Sequence, residues 1–262
     1  GYFFMWLILG PRINRESNKY QWISPTEFIC ANLAKNAKKY ISVLVALLIA
    51  FCFIFYIAAQ FDAAAGAFVS YLKLSPITSL LIAAMVILIY CLLGGFWAAS
   101  VTDTFQAIIM IIAAITISSI TVIEAGGFEK VVKSLFLLDQ NYTKWSGGYT
   151  GFLLLGFLAG SIGIGIGTFG QPHLLARLMA VKGKKEIKFG FYIAIVWVII
   201  IYCAMAWLGL AARSLLTETQ AGEQIFYLMA EKLLPPVLAG IVIASILSAV
   251  MSTVDSLLLA SS

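Results

Sequence analysis

Two stretches of the sequence carry residue types suited to holding small polar solutes and ions. The first, GIGIGTFGQPHLLAR at 163–177, puts glycines, a proline and the only histidine of the chain at the end of an apolar run. The second, AGIVIASILSAVMSTVDSLLLASS at 239–262, is a long apolar stretch studded with hydroxyls and one carboxylate. Each breaks a rule of its surroundings: glycine and proline weaken helices, and a carboxylate inside an apolar helix costs roughly 2.5–3.5 kcal/mol on insertion scales.

Gly165, Gly167 and Gly170 spell GxGxxG. A dinucleotide site needs that motif between a strand and a helix of a soluble βαβ unit, with an acidic residue some twenty positions on. Here it follows GFLLLGFLAGSIGI and precedes a basic loop, so the nucleotide reading is set aside. Two readings remain. Gly156, Gly160, Gly163, Gly167 and Gly170 recur at near-helical spacing, as in closely packed transmembrane helices. Alternatively, the five glycines within 160–170 and Pro172 break the helix, exposing backbone where a solute or ion can bind. His173 stands alone, which argues against a metal centre and for a hydrogen-bonded or interfacial imidazole. Arg177, one turn on, is expected to meet lipid headgroups or a neighbouring carboxylate.

In the second stretch Ser245, Ser248, Ala249, Ser252 and Ser256 fall at i, i+3, i+4, i+7 and i+11, one face of a helix, flanked by Thr253 and Asp255. A hydroxyl stripe serves helix contact or back-bonding equally well. It also suits a monovalent cation, for which hydroxyls and carbonyls suffice. The ligands would then be the Ala249 carbonyl and the Ser252 and Thr253 hydroxyls, completed by an unwound second helix. Asp255 needs a wet cavity or a buried polar partner. Asp103 in SVTDTFQ precedes an apolar run, with Gln106 three residues later, which reads as an N-cap and equally as part of an ion path.

The elements that position these residues are membrane helices. The 262 residues are 62% hydrophobic and only 11% charged, too few charges to coat a soluble surface. A partial span at 1–10 is followed by candidates at about 41–70, 77–97, 104–125, 149–168, 189–212 and 236–262. The runs are too long and too uniform for strands, so the class is all-α integral membrane. Amphipathic stretches at 128–138 and 222–234 read as interfacial helices or as a lid. Eleven of the seventeen Lys and Arg lie in 11–40 and 169–188, which places those loops on the cytoplasmic side of the plasma membrane. The net charge of +5 follows from that bias and points to no nucleic acid. Four scattered cysteines suggest neither disulfides nor a metal. No paired carboxylates, HExxH or nucleophile elbow suggests an enzyme.

Three motifs together, GGFWAASVTDTFQAIIM (94–110), FGQPHLLARLMA (169–180) and ILSAVMSTVDSLLLASS (246–262), resemble those of the sodium:solute symporter family. Within it, GQPH followed by ARxMA is most similar to the sodium/proline branch. The resemblance covers the chain, which reads as one transmembrane domain, 1–262, cut at both ends from the middle of a longer carrier. It implies a LeuT-like inverted-repeat core, here incomplete, in which the first span is the second core helix. The glycine break would then open the second repeat.

The resemblance further implies sodium at Ala249, Ser252 and Thr253, with the other half of the site before residue 1. Asp103 and Asp255 lie on a possible ion path. Substrate would sit at Ile164, Gly167, Thr168 and Pro172. Proline carriers have aromatic residues one and two turns before the GQPH proline, where this chain has Thr168 and Ile164. The solute is therefore expected to be proline, another amino acid, or a small zwitterion or anion. Sodium is the coupling ion and no cofactor is expected. A proton-coupled carrier of the same fold is the nearest alternative, and a channel a more distant one.

Overall fold

A computed structural model describes residues 1–93, 96–138, 144, 146–216 and 222–261, and all regular structure among them is helical. Five helices are long and apolar enough to cross a membrane: 35–72, 99–124, 151–170, 184–215 and 236–261. The sixth expected span, 77–97, corresponds to a helix over Pro76–Leu93, and residues 94 and 95 lie outside the described set. Its apolar portion, Pro76–Tyr90, is shorter than a full crossing.

The chain opens with α1 (Tyr2–Phe4), a π-turn (Met5–Leu9) and α2 (Gly10–Tyr20). Pro11 has no N–H to donate, and the turn before it widens so that the Gly10 N–H reaches the Met5 carbonyl. α3 (Pro25–Cys30) starts with a full capping box. Ser24 Oγ accepts from the Glu27 N–H, and the Glu27 carboxylate accepts from the Ser24 N–H. Then follow α4 (Lys35–Leu72), α5 (Pro76–Leu93), α6 (Phe96–Glu124), α7 (Phe128–Leu138), α8 (Gly151–Gly167), α9 (Pro172–Ala180), α10 (Lys184–Leu215), α11 (Ile225–Leu233) and α12 (Pro236–Ser261).

The chain separates into two compact units. One comprises 1–59, 158–196 and 254–262. Its interior holds Met5, Ile13, Cys30, Leu178, Met179 and Ile187, each under 5% exposed. α2 lies along α9, and the buried Asn14 side chain fixes that pairing. Its Nδ2 donates to the Leu178 carbonyl at 3.0 Å and the Val181 carbonyl at 2.6 Å, satisfying groups left open where α9 ends.

The other unit comprises 60–157 and 197–253. Its core joins Ala67, Ala113, Ile117, Leu208, Met229, Ala230, Val242 and Ile243. A second cluster seats α7 through Val131 and Leu135 against Val122, Ala125 and Ala211. Ser118 Oγ donates to the Ala204 carbonyl at 2.7 Å, and Trp197 Nε1 to the Ala107 carbonyl at 3.4 Å, tying α6 to α10. The amphipathic stretches are helices where their spacing predicts them. α11 buries Tyr227, Met229 and Ala230, and α7 buries Val131 and Leu135.

Candidate functional site: a broken helix and a hydroxyl-bearing helix

The glycine stretch is a break. α8 ends at Gly167, Thr168–Gly170 form a single 3₁₀ turn, Gln171 is extended (φ −75°, ψ 109°), and Pro172 starts α9 at its first turn. The chemistry is local. Glycines lower the cost of leaving the helix, Pro172 cannot continue the hydrogen-bond ladder, and its fixed φ suits a helix start. The helix-packing alternative finds no support among the described residues. A Cβ at Gly156, Gly160, Gly163, Gly167 or Gly170 would meet nothing within 4 Å.

The four residues expected around the solute are spread along this break. Thr168 is buried, and its hydroxyl donates to the Ile164 carbonyl at 3.3 Å. Ile164 itself is 80% exposed, while Gly167 and Pro172 bracket the turn. The Gly1 backbone lies against the Gly165 carbonyl and the Thr168 side chain, so the first turn of the chain touches the break directly.

Beyond the break, α9 carries its polar groups inward. His173 is buried rather than interfacial, its ring edge-on to Phe53 and Tyr56 at 6.1 Å each. Its Nδ1 has no hydrogen-bond partner among the described residues. Burial first, and then the nearby Arg177 charge, push its pKa down to about 4. Arg177 meets a hydroxyl rather than headgroups: its guanidinium donates to Ser256 Oγ. Ser256 in turn donates to the Asp255 carboxylate at 3.2 Å. Asp255 is only 5% exposed, so it takes the buried-partner solution rather than the wet one.

α12 is unbroken from Pro236 to Ser261. Along the stripe Ser245 and Ser256 are buried and Ser248, Ala249, Ser252 and Thr253 are half-buried. Thr253 Oγ1 donates to the Ala249 carbonyl at 2.8 Å, so two of the three expected sodium ligands lie side by side. Ser245 donates to the Val242 carbonyl at 2.6 Å.

Asp103 is not a cap. α6 begins at Phe96, which leaves Asp103 two turns inside the helix and 9% exposed. Sequence reasoning also missed Asn14, which secures the end of α9, and the Arg177–Ser256 bond. Their partners lie 164 to 167 and 79 residues away, and no local pattern marks them. Among the described residues no group of three His, Cys, Asp or Glu could hold a metal ion.

The chain matches the sodium:solute symporter family over residues 1–262. It is 31% identical to the sodium/proline symporter of Escherichia coli K12, over 95% of this chain and 50% of the relative. It is 30% identical to the high-affinity proline transporter PutP of Bacillus subtilis, over 98% of this chain and 54% of the relative. It is 32% identical to the sodium/pantothenate symporter of Haemophilus influenzae, over 86% of this chain and 46% of the relative. The chain thus spans about half the length of the curated relatives it matches. No solved structure matches it.

Proposed function

The chain belongs to the sodium:solute symporter family, and on that premise we propose that it is the central part of a multi-pass carrier coupling inward sodium movement to uptake of a small organic solute. The observation that carries this reading is the helix break at Gly167–Pro172, which leaves backbone groups open at the end of a membrane-length segment. The solute sits along Ile164, Gly167, Thr168 and Pro172. Relatives are named for proline and for pantothenate, both carboxylates, so the solute class is a small zwitterion or anion. Thr168 and Ile164 stand where proline carriers have aromatic rings, which leaves room for a solute other than proline.

Sodium is held by the Ala249 carbonyl and the Ser252 and Thr253 hydroxyls, with further oxygens from a second, unwound helix. A neutral set of this kind binds loosely enough to release its ion. α12 carries both this set and, one turn on, Asp255 and Ser256, and Ser256 accepts from Arg177 just past the break. Filling the ion site therefore bears on the segment that shapes the solute site. The core is a LeuT-like inverted repeat that alternates access across the plasma membrane, with 11–40 and 169–188 on the cytoplasmic side. One charge moved through 100 mV supplies about 2.3 kcal/mol, or roughly 50-fold accumulation.

The test is uptake by the full-length protein carrying Ser252→Ala with Thr253→Ala. Sodium stimulation should disappear while the protein still inserts, and uptake that keeps its sodium dependence refutes the assignment. Two buried carboxylates, Asp103 and Asp255, favour proton coupling as the second reading. Replacing the sodium gradient by a pH gradient in proteoliposomes separates the two.

A further inference from the structure

The unit that contains the break also contains an apolar cavity of about 380 Å³. Its walls come from α2 (Ile13), α3 (Phe28, Ile29), α4 (Val45, Ile49) and the break itself, including Phe169 and Pro172. The volume falls within the range of about 300–1,000 Å³ usual for ligand pockets, yet every lining side chain is apolar, so a polar solute gains nothing there. The cavity reaches the surface at Leu48 and Ile29, which line it and are 55% and 51% exposed. Leu48 lies on α4, a membrane-length helix whose most apolar stretch is only 6% buried, so the opening meets hydrocarbon.

The rim is basic. Arg12, Arg15 and Lys19 on α2 and Lys35, Lys38 and Lys39 on α4, two of the helices that wall the cavity, are all exposed, against Glu16 and Glu27. Lys35, Lys38, Ser42, Val45 and Ile49 fall on one face of α4. That face runs from two ammonium groups into the cavity wall over about 10 Å between Lys38 and Val45, the depth that separates a phosphate from the upper part of its acyl chain.

We propose that this cavity holds an acyl chain of an anionic phospholipid, with its phosphate on Lys35 and Lys38, and that its occupancy props the turn at Phe169–Pro172. The binding stands apart from the sodium assignment, whereas its effect on uptake rests on that reading. An uncharged or zwitterionic lipid fits the apolar wall equally but not the rim, which carries a surplus of cations each worth about fivefold in attraction for an anionic surface.

The experiment uses the full-length protein purified in detergent and exposed to equal amounts of phosphatidylglycerol and phosphatidylethanolamine with matched chains. Native mass spectrometry reads the lipid retained. The wild type should retain phosphatidylglycerol selectively. Lys35→Gln with Lys38→Gln, both exposed, should weaken that retention roughly 30-fold. Ile49→Trp, which fills the cavity, should abolish it with the lysines in place, and Ile49→Val should leave it intact. Equal retention of the two lipids, or retention indifferent to both the lysine pair and the tryptophan, overturns the proposal. So does a cross-link from Ile49→Cys to another segment of the same polypeptide, which would show the cavity filled by protein. In vesicles, replacing phosphatidylglycerol by phosphatidylcholine should slow uptake several-fold in the wild type and not in the tryptophan variant. Selective binding with unchanged uptake would overturn the propping role alone.

Discussion

The Thr253 hydroxyl donates to the Ala249 carbonyl one turn back on α12, at 2.8 Å. Because the hydroxyl spends its proton on that carbonyl, which also accepts the Thr253 N–H within the unbroken helix, the hydroxyl lone pairs remain able to accept or to ligate. Under the proposed sodium assignment, that oxygen also ligates the cation. Thr253→Ser preserves the oxygen and should leave the sodium response of uptake close to wild type. Thr253→Val, of nearly the same volume, should raise the sodium concentration for half-maximal uptake by roughly tenfold, about 1.4 kcal/mol of binding. Thermal stability should fall by only about 1 kcal/mol, the usual worth of one hydrogen bond. A valine variant with an unchanged sodium response would mean that the hydroxyl serves the helix alone.

Arg177, Ser256 and Asp255 form a polar chain between α9 and α12, half-buried at Arg177 and buried at Ser256 and Asp255. Hydrogen bonds to charged groups are worth about 1.5–3 kcal/mol, and the loss falls on the partners left behind. Arg177→Ala should therefore destabilise the protein by an amount in that range. Arg177→Lys should recover part of it, because the ammonium keeps the charge but not the planar fork. A double-mutant cycle of Arg177→Ala with Asp255→Asn, followed by thermal unfolding in detergent, should show a coupling well above 0.5 kcal/mol in magnitude. Strict additivity would mean that the two residues act separately.

His173 gives the folded state a pH dependence of known sign. Its pKa is near 6.5 when unfolded and about 4 when buried beside Phe53, Tyr56 and Arg177. Between those values the unfolded chain binds the extra proton, so unfolding gains as pH falls. The contribution is fully present above pH 6.5 and is lost as pH drops through about 4. The unfolding temperature of the wild type should decline from pH 7 to pH 5 more steeply than that of His173→Leu, whose side chain suits the aromatic surroundings. Parallel pH profiles for the two proteins would contradict this account.

The sequence reveals most where the physics is local. Gly167, Gly170 and Pro172 carry their own conformational preferences, so the break is one of the two readings their spelling allows, and α7 and α11 are legible from their apolar period. The start of α6 is not. Ser100, Thr102, Asp103 and Thr104 look like a polar approach to a helix, yet Thr102 donates to the Ala99 carbonyl at 3.0 Å and Thr104 to the Ser100 carbonyl at 2.9 Å. Hydroxyls satisfied by their own helix cost little inside it, and the helix runs on through them. Similarly, α4 and α10 begin at Lys35 and Lys184, several residues before their apolar runs, because charged residues extend a helix into water. The role of Asn14 rests on a tertiary meeting that no single segment announces.

The last prediction concerns how α11 is fastened to the end of α4. Two contacts do this: Tyr227 donates to the Ala63 carbonyl at 2.9 Å, and Lys73, just past α4, pairs with Glu231 at 2.8 Å, while Tyr71 donates at 2.7 Å to the carbonyl of Pro236, the first residue of α12. They differ in worth. The Lys73–Glu231 side chains are 65% and 48% exposed, and such pairs contribute about 0–1 kcal/mol, falling with salt. Tyr227 is 8% exposed and lies in the main apolar cluster. Burial first, and then the Asp62 charge, push its pKa up to about 12, so it remains a donor at any physiological pH. Tyr227→Phe leaves the ring and removes only the donor, and should cost about 1–2 kcal/mol. Lys73→Gln should cost less than half of that and nothing measurable in high salt. If α11 is a lid over a solute path, Tyr227→Phe should also raise the accessibility of a cysteine placed at the exposed Gln224 to a water-soluble thiol reagent, whereas Lys73→Gln should not. Faster labelling in Lys73→Gln than in Tyr227→Phe would show that the exposed ion pair, rather than the buried tyrosine, holds this helix down.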